Sequence, residues 1–382
     1  MQVPKYMDHF KCIGGACEDN CCIGWDVDID KVTFTKYQKV THPLMQRELK
    51  QYIKVNPDVY SDAINYAFAV LTPEKHCRFL NTDRLCMIQK HLGESYLSNV
   101  CSSFPRITNK IDGKLERSAT PSCPEVMRLL ADNPDAMTLA SAKDPDSTPI
   151  ISFDIKQNDK RFRGTLISEL LIVRDTCLHV FKSDDMPLES QLFDLANFIV
   201  NIVKMEKNNN LPSLKQYISN QTSTSQHISS GRSEAFLTFS EMLIDHLKQL
   251  GADDSTRYVE LTNIASQGDV TTGYKHFEAF NQNNSHVIRN LIKNHIFKSL
   301  FPFSEGENAE EALWLLLSRY AMIKRQLIGL AGYHNQLNHE MVVSYLQVFS
   351  KVIEHHKHFE TRTIETLRTQ KLNSKKLMSI IL

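Results

Sequence analysis

Apolar side chains recur at helical spacing through most of the chain after residue 150. Phe162, Leu166, Leu170, Val173, Cys177 and Val180 are separated by steps of four and three, which puts them on one helical face. Leu188, Leu192, Leu195, Ile199 and Ile202 repeat the rhythm after Pro187, a residue tolerated in a first helical turn. Leu313, Leu316, Tyr320, Ile323, Leu327 and Leu330 form a third stripe. Asn308 is placed to cap it, Glu310 and Glu311 lie in its first turn, and Gly332 is expected just beyond its end. Val342, Leu346, Phe349 and Ile353 begin a further helix, and no repeat of 20 to 50 residues suggests a solenoid. Between these stripes the Asn-, Ser-, Thr- and Gln-rich stretch 208–233 reads as loop.

Before residue 150 the pattern changes. The stretch 132–149 is polar, carries three prolines and lacks sustained periodicity, which suits a linker. The expected organisation is therefore a cysteine-rich metal-binding domain over 1–131 followed by a helical domain over 150–382, with a mainly α fold overall. In WDVDID, strict alternation of Trp25, Val27 and Ile29 with Asp26, Asp28 and Asp30 predicts a short strand with its carboxylates on one face. That face reads as solvated, the sharper alternative being attraction of a cationic substrate. The string is not a calcium loop: counted from Asp26, the sixth position is Lys31 and the twelfth Tyr37.

Composition narrows the function. The 382 residues hold 44 basic and 44 acidic side chains, so the formal charge is zero and a phosphate-binding electrostatic footprint is missing; nucleic acid is not an expected partner. Thirteen glycines are about half the usual ~7% usage, which disfavours glycine-rich phosphate loops. The purest apolar run, Leu313 to Leu317, is far below the ~20 residues that span a bilayer, so no membrane span is expected. The N-terminal MQVPKYMDHFKC lacks the apolar stretch of a secretory signal, which predicts a cytoplasmic protein.

Cysteine usage carries the chemistry. Eight of nine cysteines lie in the first 123 residues, and in a reducing compartment such a concentration points to metal or redox chemistry before disulfides. The first cluster, FKCIGGACEDNCCIGWDVDID, has the spacing C-x4-C-x3-C-C; the second is CRFLNTDRLC, followed by Cys101. Cys12, Cys17, Cys21, Cys22, Cys77, Cys86 and Cys101 are the candidate ligands, and four of them would complete a zinc site or a four-iron four-sulfur cluster. Spacing alone does not choose the metal or the four. Cys177, on a helical stripe, reads as a small buried hydrophobe. His355, His356 and His358 point in different directions on a helix and read as solvated. The radical-type motif C-x3-C-x2-C fails because Gly24 occupies the third position after Cys17 and Cys21, and no G-x-G-x-x-G nucleotide fingerprint is present.

At these residues the sequence resembles the flagellin lysine-N-methylase family. The strings are FKCIGGACEDNCCIGWDVDID, CRFLNTDRLCMIQKHLGESYLSNVCSSFPR, SCPEVMRLL and, in the stretch 289–359, RNLIKNHIFKSLFPF. The cysteine-rich half alone is similar to a broader group of zinc- or iron-chelating domains. The resemblance implies transfer of a methyl group from S-adenosyl-L-methionine to flagellin lysines in the cytoplasm, with a 4Fe-4S cluster. Polar transfer of that kind needs alignment and a neutral amine; Asp26, Asp28 and the tyrosines are the candidate bases. The competing reading is a non-enzymatic metal-binding interaction module.

Overall fold

The computed structural model describes residues 1–23, 27–59, 61–144, 150–182, 186–220, 233–250, 256–356 and 358–382. Helices dominate, as the stripes predict. The front third nevertheless contains two sheets whose clearest local signal is Asp112-Gly113. Both residues take positive φ, +48° and +81°, as a two-residue hairpin turn demands. They join Arg106–Ile111 to Lys114–Ala119 in antiparallel register, Ile107 opposite Ser118. Gln2–Pro4 adds in parallel beside Lys114–Ala119, and Leu139–Ser141 and Asp154–Ile155 form the two edges of this five-stranded sheet. Part of the 132–149 stretch is thus strand, because Leu139 to Ser141 pairs with Pro4 to Gln2; residues 145–149 lie outside the described set.

A second sheet orders Val27–Ile29, Ala67–Ala69 and Ile53–Val55 side by side, all antiparallel. It carries a small core of its own with Met45, Leu49, Phe79 and Ile88. The large core belongs to the helices and also takes in Tyr6, Val126 and Leu130 from the front of the chain. Helix Pro124–Asp132, whose Val126, Met127, Leu130 and Ala131 are fully buried, packs against His286–Lys298 and His339–His355.

The Ala309–His334 helix is the axis of the helical part. Asn308 caps it as expected, its side chain accepting from the backbone N–H groups of Glu310 and Glu311. It runs further than expected, ending at Asn335 in the left-handed region, so Gly332 lies inside it. The reason is packing. A Cβ on Gly329 would sit 2.2 Å from the Ala265 carbonyl oxygen and one on Gly332 2.1 Å from that of Asp269. From the other side, a Cβ on Gly273 would sit 2.1 Å from the Ile328 oxygen. Helices Thr256–Ser266 and Val270–Asn284 therefore meet this axis backbone to backbone.

The 162–180 stripe also differs from expectation. Gly164, at φ +78°, separates two 3-10 turns, Lys160–Phe162 and Leu166–Glu169, and the α-helix starts only at Leu170. Leu188–Lys207 forms one helix as predicted. Of the 208–233 stretch, Leu214–Ser219 is helical and residues 221–232 lie outside the described set. Among the described residues no helix is long and apolar enough to cross a membrane.

Candidate functional site

The cysteine-bearing segments are tied to one another by short polar contacts. Asn20 is the knot of the first: its side-chain oxygen accepts from the Cys22 N–H at 2.8 Å, and its amide donates to the Arg84 carbonyl at 3.0 Å. Arg84 in turn donates to the Glu18 carbonyl at 3.2 Å. Gly14 turns the chain between Cys12 and Cys17 at φ +58°. The Cys77 N–H donates to the Cys22 carbonyl at 2.8 Å, which stitches the second cysteine segment to the first. Cys101 sits in helix Asn99–Ser103, its N–H capped by the Ser98 hydroxyl.

Asp30 corrects the expected acidic face. It is 2% exposed, caps helix Lys31–Gln38 through Thr33 and accepts from the Asn99 N–H at 3.0 Å. Its carboxylate therefore clamps the start of the Cys101 helix instead of facing water. Asp28 lies in the small sheet opposite Phe68 and lines neither cavity described below. Trp25 and Asp26 lie outside the described residues.

Six of the seven candidate ligands, Cys12, Cys17, Cys21, Cys22, Cys86 and Cys101, line one cavity of about 270 Å³. The seventh, Cys77, is buried within electrostatic reach of Cys21 and Cys86. Cys123 joins them in the wall. The cysteine spacing does not single it out; its local signal is Cys-Pro at the start of helix Pro124–Asp132, where the backbone N–H groups only partly offset the burial of the thiol. In and beside the cavity the thiols fall into two neighbourhoods: Cys21, Cys77 and Cys86 act electrostatically on Cys22 and on Cys101, and Cys17 and Cys12 on Cys123.

None of the nine cysteines is joined in a disulfide. Among the described residues no three His, Cys, Asp or Glu side chains are arranged as a metal cage; the thiols line a shared space without meeting at a point. Soft sulfur donors in this number fit zinc or an iron-sulfur cluster by donor chemistry. Burial pushes the Cys77 and Cys123 thiols up to about 11 and Cys101 up to about 12. Cys21 moves the other way, because the Cys22 thiol hydrogen-bonds to it and the Lys351 ammonium stands nearby.

Lys351 belongs to helix His339–His355, far along the chain from the cysteines. Its Nζ lies 2.9 Å from both carboxylate oxygens of Asp19. Gln347, one turn earlier, donates to Asp19 at 2.9 Å and to the Ser122 carbonyl at 2.7 Å. The other side of the same helical turn, with Ser350, Ile353 and Glu354, borders a second cavity of about 350 Å³ among the C-terminal helices. Pro121 lines that cavity and Ser122 and Cys123 the thiol cavity. The two spaces are thus back to back, divided by one helical turn and by Pro121 to Cys123.

The histidine group does not gather. His356 makes a 2.6 Å hydrogen bond with the Leu250 carbonyl, its ring centroid is 6.4 Å from that of His358, and the His355 side chain is outside the described set. Cys177 is fully buried in the large core, as its stripe predicts.

Residues 174–381 match the family described as the FliB lysine N-methylase C-terminal domain. Lysine-N-methylases of Salmonella choleraesuis and Salmonella typhimurium are each 25% identical to the chain over an aligned 401 residues, covering 96% of it and 95% of each relative. The flagellar biosynthetic protein FliU of Salmonella muenchen is 36% identical over 143 residues, 37% of this chain and 82% of that protein. No solved structure matches.

Proposed function

The chain belongs to the FliB lysine N-methylase family, and from that premise we propose that this protein-lysine N-methyltransferase takes its methyl group from S-adenosylmethionine, acts on flagellin in the cytoplasm and uses an iron-sulfur cluster held by its thiols. The observation that carries the reading is the thiol cavity itself: sulfur atoms from four separate segments line one space, directly behind a second cavity large enough for organic ligands. The nearest donors are Cys21, Cys22, Cys77, Cys86 and Cys101, with Cys12, Cys17 and Cys123 as the other group. A bound cluster would supply a fixed inorganic node for the loops of the cysteine-rich part, displacing the protons that burial keeps on their thiols.

The reaction asks little of the protein beyond alignment. A sulfonium methyl is already electrophilic, and a neutral lysine amine is already a nucleophile. The chain must remove one proton from the lysine ammonium and exclude water from the line of transfer. Among the base candidates, Tyr320 reaches the second cavity, but its hydroxyl donates to buried Glu189 at 2.6 Å and burial pushes it well above its usual range. It is a structural donor, and we assign the proton-accepting role to the carboxylates of that cavity.

The test is chemical analysis joined to turnover. Protein purified without oxygen is assayed for iron, sulfide and zinc, and for methylation of flagellin lysines by mass spectrometry. Cys21→Ser and Cys86→Ser should lose iron and methylation together, and Cys177→Ser should keep both. Zinc in place of iron would overturn the cluster; iron-loaded wild-type protein that leaves flagellin unmodified would overturn the function.

A further inference from the structure

The second cavity is lined by three carboxylates, Glu305, Glu354 and Glu360, against two permanent cations, Lys298 and Arg319, and two histidines, His295 and His356. Its charged wall comes from the last turn of helix His286–Lys298 and the segment after it, from Arg319 within Ala309–His334, and from the end of His339–His355 and the start of Phe359–Thr369. Glu305 is fully engaged: Arg319 grips it with two contacts of 2.6 and 2.9 Å, and His295 Nε2 lies 3.3 Å away. Burial alone would push the Glu305 carboxyl up, but Arg319 and His295 hold it well below the usual carboxylate range. Arg319 is itself stacked over the Phe359 ring, 5.3 Å from its centroid. Glu354 pairs with Lys298 at 2.7 Å and accepts from the Thr120 hydroxyl.

Glu360, in the first turn of helix Phe359–Thr369, is different. It accepts from the Gly306 N–H, and among the described residues no Lys, Arg or His forms an ion pair with it. Both permanent cations of the wall, Lys298 and Arg319, are already committed to other carboxylates. Half-burial and the nearby Glu305 charge raise Glu360 above its ordinary value, with Arg319 opposing. The rest of the wall is largely apolar, with Ile107, Ile292, Leu316, Ile323, Phe349 and Ile353.

A concave, largely apolar space with one carboxylate that makes no ion pair among the described residues selects a ligand with an apolar body and a single positive charge, because each half of that ligand finds what it loses on leaving water. We propose that this cavity is the site for an organic cation, either the sulfonium of the methyl donor or the ammonium of the accepting lysine, and that Glu360 is the carboxylate facing the charge. The inference rests on the methyltransferase reading and adds to it where the reacting cation binds. An accepting lysine needs one further event there: its ammonium proton passes to the Glu360 carboxylate, leaving the amine lone pair free and the carboxyl neutral.

Binding decides it without turnover. Full-length protein purified without oxygen is titrated with S-adenosylmethionine and its neutral thioether counterpart S-adenosylhomocysteine, and with N-acetyl-lysine methylamide and its neutral norleucine counterpart. Glu360→Gln keeps the side chain's size and removes its charge. If the donor occupies the cavity, this variant should weaken S-adenosylmethionine about tenfold or more and leave the thioether unchanged, as loss of a partly desolvated charge partner does. If the lysine occupies it, the same contrast appears between the lysine and norleucine probes. A thermal melt matching wild type shows that the variant is folded; Glu260→Gln, exposed on helix Thr256–Ser266 and lining neither cavity, is the charge-loss control. Unchanged binding of both cations to folded Glu360→Gln overturns the inference, and if the wild type still methylates flagellin, the functional reading survives it. A wild type that binds neither cation and methylates nothing overturns both.

Discussion

Replacing Lys351 with Met tests the claim that the helical part holds the thiol loop in place. The substitution keeps the apolar stem and removes the ammonium that touches Asp19 at 2.9 Å twice and the Asn20 carbonyl at 3.4 Å. Each partner of the ion pair is 20% exposed, between the regimes of a surface pair, worth about 0.2–1 kcal/mol, and a buried pair broken on one side, costing about 3–5 kcal/mol. Asp19 keeps two donors, the Gln347 amide at 2.9 Å and the Asn20 N–H at 2.7 Å, so the lower half of that interval applies and the cost is about 2 kcal/mol. For a chain of this length that corresponds to a fall in Tm of roughly 3 °C. The same change frees the segment between Cys17 and Cys22, so metal content per chain should fall with stability. Scanning calorimetry and metal analysis measure the two, and an Asp19→Asn, Lys351→Met double variant should cost less than the sum of the singles. A loss under about 0.5 kcal/mol with additive singles and full metal content would refute the coupling of loop to helix.

Gly329→Ala should destabilise by about 2 kcal/mol or more despite the better helix propensity of alanine, because the new methyl would lie 2.2 Å from the Ala265 carbonyl oxygen and the two helices must part to admit it; urea unfolding at an unchanged m-value measures this, and a neutral or stabilised variant removes the close-contact account. Glu305 makes a pH prediction with a definite sign. Its folded pKa lies below the ordinary carboxylate value, so its contribution is complete above about pH 4.5 and disappears as pH falls through the folded value. Melting temperatures between pH 7 and pH 3 should therefore drop more steeply for wild type than for Glu305→Gln, and parallel curves would contradict the assignment.

Much of the helical part was legible because its signals are local. The Leu188 to Ile202 stripe and the Asn308 cap need only spacing and one side chain to be read. The misreadings share a different cause: the deciding partner lay far away in sequence. Gly332 looks like a helix terminator until Asp269 is seen against its backbone, and Asp30 looks solvated until the Asn99 N–H arrives from 69 residues on. Gly164 is a local exception, since an unbroken four-three stripe hides a residue that needs positive φ. The Asp112-Gly113 dipeptide is itself a local hairpin signal, since both residues take the positive φ that such a turn requires. For the site, cysteine spacing pointed to the right region, but it could show neither Cys123 as a member nor Lys351 as the cation facing the thiols, because both come from the packing of helices onto that region.

The partition formed by Ser350 to Glu354 has two tenants. Being about 7.5 Å of helix in length, it cannot be nudged for the benefit of one side without moving furniture on the other: Lys351 and Glu354 are three positions apart yet answer to different neighbours, Asp19 and Lys298. Substitutions along this turn are therefore expected to cross-talk, so that a change made to widen the organic chamber also loosens the sulfur-lined one. An engineer seeking altered specificity should leave that turn alone and work on the opposite wall, at Leu291 or Ile292, where the chamber backs onto helix His286–Lys298 and no thiol lines it.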